Sequence, residues 1–177
     1  MLILAGGRSR RMGTDKAQLP IAGTTLLDWQ GKRLAALGLP VWHSGADGIQ
    51  DEWPDYRGPL AGLYSALKQH PKMDYWLVLP VDMPALPLER LHQLIVSVTG
   101  KSVPVAFQYS PLPLAVPVSK QLIDTLEHWL SQPDGPRSIR ALMEEFNGDW
   151  LEESLRENEQ LNINTPEDWQ AFLQTLK

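Results

Sequence analysis

Short apolar runs alternate along this chain with longer stretches in which apolar residues recur every three or four positions, the signature of strands alternating with amphipathic helices. Met1 to Leu4 reads as a first strand, followed by a loop from Ala5 to Lys16. Thr25 can cap a helix with Leu26, Leu27, Leu34 and Leu37 on one face before Gly38 ends it. Val41 to His43 reads as a second strand, and a polar loop from Ser44 to Arg57 leads to Gly58-Pro59, which opens a helix with Leu60, Leu63, Tyr64 and Leu67 inward. Tyr75 to Val81 is apolar without clean alternation, as in a strand buried on both faces. The pattern then predicts a helix over Leu88 to Val98, a strand over Val103 to Tyr109 and another over Leu114 to Val118. Ser119 and Ser138 cap helices carrying Leu122, Ile123, Leu126 and Leu130, and Ile139, Leu142 and Phe146. Leu161 to Asn164 is expected to be extended, and Thr165, Pro166 and Asp168 start a last helix docked by Trp169, Phe172, Leu173 and Leu176.

This order predicts an α/β fold of three layers, with a mostly parallel central sheet covered by helices on both faces and ligands bound beyond the carboxyl ends of the strands. Two features stand at such ends: the loop after the first strand, and Asp82 just past the buried run Trp76 to Val81. A length of 177 residues suits one domain spanning 1–177.

Charge sharpens the picture. The net charge of -5 argues against a broad basic face for nucleic acid. Yet Arg8, Arg10, Arg11 and Lys16, four of the 16 lysines and arginines, cluster beside glycines in the first loop. Such clustering suits a small polyanion, and a solvated charge run is the competing reading. Gly6-Gly7, the arginines, Gly13 and Lys16 outline a phosphate cradle, although Gly6-Gly7 can also serve simply as a turn. The loop is neither a Walker A motif nor the three-glycine dinucleotide fingerprint. No apolar run reaches the roughly 20 residues needed to span a bilayer, the N-terminus lacks the features of a secretory signal, and there is no cysteine. A cytoplasmic protein without membrane or nucleic-acid partners is expected. His43, His70, His92 and His128 form no metal-ligand spacing, and the seven tryptophans are expected in the core.

The segment Leu4-Ala5-Gly6-Gly7-Arg8-Ser9-Arg10-Arg11-Met12-Gly13-Thr14-Asp15-Lys16 resembles the signature of the molybdopterin guanylyltransferase family of nucleotidyltransferases. Gly58-Pro59-Leu60-Ala61-Gly62-Leu63, Pro80-Val81-Asp82-Met83-Pro84 and Asn162-Ile163-Asn164-Thr165-Pro166-Glu167-Asp168 resemble further family segments in the same order. The resemblance implies a Rossmann-like nucleotidyltransferase fold and transfer of GMP from GTP to molybdopterin, with pyrophosphate released and Mg2+ as cofactor. It implies that Leu4, Ala5, Gly6, Gly7, Lys16, Asp51 and Asp82 bind the nucleotide, and that Arg11, Lys16 and Asp82 are the catalytic groups, Lys16 and Arg11 meeting the phosphates. It assigns Mg2+ to Asp82, molybdopterin to Asn162 and Asn164, and transient partners among cofactor-biosynthesis proteins or molybdoenzymes. For Asp51 the competing reading is a solvated loop acid, for Asp82 a helix cap, and for the two asparagines a turn.

Two positions depart from the family pattern: Ser44 stands where an asparagine is usual, and Leu112 where a polar residue is common. The alternatives to guanylyl transfer are CMP transfer to the same acceptor and a non-catalytic relative that binds without transferring. Gly6, where CTP-using relatives tend to carry alanine, favours guanine, and the joint presence of Lys16 and Asp82 favours an enzyme.

Overall fold

In the computed structural model, residues 1–5, 15–45, 47–53, 57–152 and 162–176 are described. Among the described residues, eight strands and six helices follow one another as β1 (Leu2–Leu4), β2 (Pro20–Ile21), β3 (Thr24–Thr25), α1 (Leu26–Ala35), β4 (Trp42–His43), α2 (Pro59–Gln69), β5 (Tyr75–Pro80), α3 (Leu88–Val98), β6 (Val105–Phe107), β7 (Ser110–Pro117), α4 (Lys120–Ser131), α5 (Ile139–Glu145), β8 (Asp149–Leu151) and α6 (Pro166–Gln174). A 3-10 turn at Lys16–Gln18 and the small hairpin β2–β3 bridge β1 and α1.

Six strands form the central sheet in the order β4-β1-β5-β7-β6-β8. The pairs β1–β4, β1–β5 and β6–β8 are parallel, and β7 runs antiparallel to both its neighbours. Alternate residues of each strand feed opposite faces, as the period of two requires. Ile3, Leu77, Leu79, Val105, Phe107 and Ala115 meet the buried residues of α1, α3 and α6. Leu2, Trp76, Val78, Ala106, Leu114 and Val116 meet those of α2, α4 and α5. The three-layer α/β/α fold follows.

Helix starts obey local chemistry. Thr25, Ser119, Ser138 and Thr165 accept from backbone N–H groups three residues on. α2 begins differently, behind Gly58 at φ 76°, where a Cβ would also stand 3.1 Å from the carbonyl oxygen of Arg137. Leu60 to Leu67 are all buried in α2, so this helix is a fixed floor beneath the sheet. Gly62 lets it approach: a Cβ there would lie 3.1 Å from Leu4 Cδ2 and 3.5 Å from Ser44 Cβ.

Several expectations need correction. β7 begins at Ser110, four residues before the expected Leu114, because its register shifts between Ala106 and Phe107 and leaves Pro111 and Pro113 outside the paired positions. β6 is shorter than Val103 to Tyr109. Leu176 lies beyond the end of α6 and is 48% exposed, so Trp169 and Phe172 dock the helix without it. Residue Leu161 lies outside the described residues, and so do Gly6 to Thr14, which carry the arginine cluster.

Candidate active site

The site grows from the carboxyl edge of β1 and β5. Val81 N–H donates to Leu4 O at 3.1 Å, carrying the β1–β5 ladder one residue past the strand and leaving Asp82 at its rim. The carbonyl oxygen of Val81 accepts from Gln30 Nε2 at 2.7 Å, and that of Asp82 accepts from Ile163 N–H at 2.9 Å. Asp82 caps no helix, since α3 begins six residues later behind Pro87, which makes no side-chain cap. Its carboxylate turns instead to Lys16, whose Nζ lies 2.9 Å from Asp82 Oδ2.

Lys16 reaches this point because its turn is pinned on both sides. Asp15 accepts from Ala17 N–H at 3.0 Å, and Ala17 is buried in the α1/α3/α6 core, so the lysine beside it faces the rim. The same ammonium donates to Asn164 Oδ1 at 2.9 Å. Side-chain exposures of 15% for Lys16 and 26% for Asp82 leave the pair partly shielded yet open to a ligand.

Asn164 is held by its own backbone. The Asp168 carboxylate accepts from the N–H groups of Asn164 (2.9 Å) and Thr165 (2.8 Å), closing a capping box with Thr165. Those two backbone donors, with a smaller contribution from the charge of Lys16, hold the Asp168 carboxyl below the usual carboxylate range. Asn162 and Asn164 flank the fully buried Ile163 and are both exposed, so they share a side of the segment. Of the two, Asn164 joins the lysine.

Three residues from distant parts of the chain, Lys16, Asp82 and Asn164, therefore meet at one point. Leu4 ends β1 beside them, and Ala5 N–H donates to Ser44 Oγ at 3.1 Å. Ser44, buried to 5% exposure, thus anchors the first residue of the loop rather than pointing into open space. Gly6, Gly7 and Arg11 lie outside the described residues. Asp51 is exposed on the strap between β4 and α2, which is fixed by Ile49 N–H to His43 O (2.8 Å) and Glu52 N–H to Ser65 Oγ (3.0 Å); Asp51 is not bonded to the three-residue cluster. Leu112 packs against the α2/α4/α5 face, with its N–H on Ser110 Oγ.

Among the described residues no group of three or more His, Asp or Glu converges. His70 instead packs against the rings of Trp42 and Trp76, at 4.5 and 5.9 Å between centroids. The residue that sequence reasoning missed is Gln30. It falls on the stripe Leu26, Gln30, Leu34 of α1, and a polar side chain at an apolar helical position is the signal that could have found it.

Comparison with known proteins joins this geometry to a family. Residues 1–148 match the MobA-like NTP transferase domain. The chain belongs to that family. A molybdenum cofactor guanylyltransferase of Xanthomonas euvesicatoria pv. vesicatoria (strain 85-10) is 34% identical, over 97% of this chain and 93% of that protein. One of Rhizobium meliloti (strain 1021) is 32% identical, over 94% and 87%. The fold is shared with the solved structure of molybdopterin-guanine dinucleotide biosynthesis protein A from Archaeoglobus fulgidus, at a TM-score of 0.73 and 23% identity over 99% of this chain and 97% of that one. As a MobA-like NTP transferase the chain is a nucleotidyltransferase. The matched domain ends at residue 148, before Asn164, whereas the relatives' alignments run nearly the whole length. No described helix is long and apolar enough to cross a membrane.

Proposed function

We propose that this MobA-like transferase joins GMP from GTP to molybdopterin. The observation that carries the reading is the convergence of Lys16, Asp82 and Asn164 on one point at the carboxyl edge of the sheet. An oxygen of the molybdopterin phosphate attacks the α-phosphorus of GTP, a new P–O bond forms, and the bond to the β-phosphate oxygen breaks as pyrophosphate leaves. No covalent intermediate with the protein is needed.

A magnesium ion fits the donors present. Asp82 Oδ2 and Asn164 Oδ1 are hard oxygens that both lie 2.9 Å from the Lys16 ammonium, so the spot already accommodates positive charge. We assign the metal to Asp82; when bound, it neutralises charge on the phosphate oxygens. Lys16 exchanges its carboxylate partner for phosphate when nucleotide arrives, and Arg11 adds a second cation. Leu4, Ala5, Gly6 and Gly7 receive base and sugar, with Ala5 held in place through Ser44, and Asp51 approaches the nucleotide from the strap. Asn162 and Asn164 face the acceptor. The work is positioning and charge stabilisation. We place it in the cytoplasm, in one domain, with transient contacts to other cofactor-biosynthesis proteins or molybdoenzymes.

Melting curves with GTP, CTP, ATP and UTP, each with magnesium, test the base assignment. GTP at a hundred times its dissociation constant should stabilise the protein by about 2.7 kcal/mol, and the others less at equal concentration. Equal shifts for all four would overturn guanine as the base.

A further inference from the structure

Gln30 lies in the middle of α1 with no solvent exposure, between the fully buried Leu26 and Leu34. A leucine there would complete the apolar stripe. The glutamine instead brings a buried amide whose Nε2 donates to Val81 O at 2.7 Å while its Oε1, equally buried, has no partner. A buried acceptor without a donor is destabilising, so packing alone does not account for the residue.

The bond that Gln30 does make falls at a telling place. The Val81 carbonyl belongs to the peptide plane entering Asp82, and the Asp82 carbonyl, bonded to Ile163 N–H, belongs to the plane leaving it. Two planar peptides meet at one Cα, and fixing both fixes φ and ψ between them. The direction of the Asp82 Cα–Cβ bond, and hence the reach of its carboxylate, is set from one side by Gln30 and from the other by Ile163.

We propose that Gln30 is a positioning residue for the reaction, acting through the Val81–Asp82 peptide to aim the Asp82 carboxylate. It touches neither substrate nor metal. Without its amide the Val81 carbonyl loses its side-chain partner, the entering peptide plane is free to tilt, and the carboxylate leaves the narrow range that in-line transfer tolerates. The inference rests on the reading of Asp82 as the metal carboxylate.

The test compares Gln30→Met and Gln30→Leu, which keep bulk and remove the amide, with the unaltered protein and with Asp82→Asn. Three quantities are read: kcat and KM for GTP in guanylyl transfer, binding of GTP without magnesium, and the magnesium midpoint of the GTP-induced rise in melting temperature. For folded Gln30 variants, kcat should fall about tenfold and the magnesium midpoint should rise severalfold, with magnesium-free GTP binding and KM within about twofold of normal. A kcat and a magnesium midpoint both within twofold of normal would overturn the proposal, as would failure of both variants to fold, which would assign Gln30 to folding. Should Asp82→Asn itself transfer normally, the metal assignment fails. Should Asp82→Asn be inactive while the folded Gln30 variants behave normally, only the role of Gln30 fails.

Discussion

Two aspartates, Asp82 at the rim of the sheet and Asp51 on the strap between β4 and α2, sit in contrasting settings. Asp82 follows a strand whose residues from Trp76 to Leu79 are all buried, and the carbonyls on either side of it are each bonded by a donor from another element. Asp51 lies exposed on that strap, between the buried Ile49, whose N–H is on His43 O, and the Glu52 N–H on Ser65. The first carboxylate is aimed by the fold. The second stands toward solvent, although partial burial still raises its carboxyl above the usual carboxylate range, and a carboxylate so exposed contributes little to binding.

Paired substitutions put the largest expected effect on this contrast. Asp82→Asn should slow guanylyl transfer about a hundredfold or more, as removal of one preorganised electrostatic contribution does, with little change in melting temperature. Asp51→Asn, measured beside it, should change kcat/KM by no more than about threefold. A larger loss at Asp51 than at Asp82 would reverse the ranking of the two regions.

Lys16 sharpens the comparison, because it is the cation that marks the fixed region. Lys16→Ala should raise the dissociation constant for GTP by roughly 10- to 100-fold, the worth of one charge-assisted hydrogen bond of about 1.5–3 kcal/mol. Calorimetric titration reads the constant. Unchanged affinity with a clear loss of melting temperature would show that the lysine serves the fold and not the ligand.

The smallest effect concerns the support of Asn164. Because backbone donors depress the Asp168 carboxyl below its ordinary value of 3.8, its contribution to stability is fully present above that pH and is lost as the pH falls through the depressed value. Asp168→Asn should therefore lower the melting temperature slightly at pH 7, and the difference should close in strong acid. A gap between the two proteins that is undiminished in strong acid would show that Asp168 acts through something other than its charge.

The same contrast marks what was legible in the sequence. Helices announced themselves through caps at Thr25, Ser119, Ser138 and Thr165, and Asp82 through its place after a buried strand, because these signals are local. The β2–β3 hairpin did not, since its turn uses Ala22 and Gly23 at φ 48° and 77°, and alanine gives no hint of a left-handed residue. Nor did the bulge that hides Pro111 and Pro113, which exists only once β6 and β7 are paired. At the site, the types of Lys16, Asp82 and Asn164 were legible from the family resemblance, but their shared point of contact was not. Ser44 stood out as a departure, and only tertiary structure gave it a task, as acceptor for Ala5 N–H.

The Lys16–Asn164 bond closes a span of 148 residues, more than twice the 66 between Lys16 and Asp82. Contacts so far apart in sequence form late, after the loops between them have lost their freedom. On a chain growing from its N-terminus, β1, β5 and the Lys16–Asp82 pair can assemble while residue 164 has yet to be added. With the assignments proposed above, a chain whose synthesis stops short of Asn164 lacks the acceptor half of the grip and also α6, whose Trp169 and Phe172 complete the core beside Ala17 and Val81, so the capacity to transfer arrives only with the last stretch of chain.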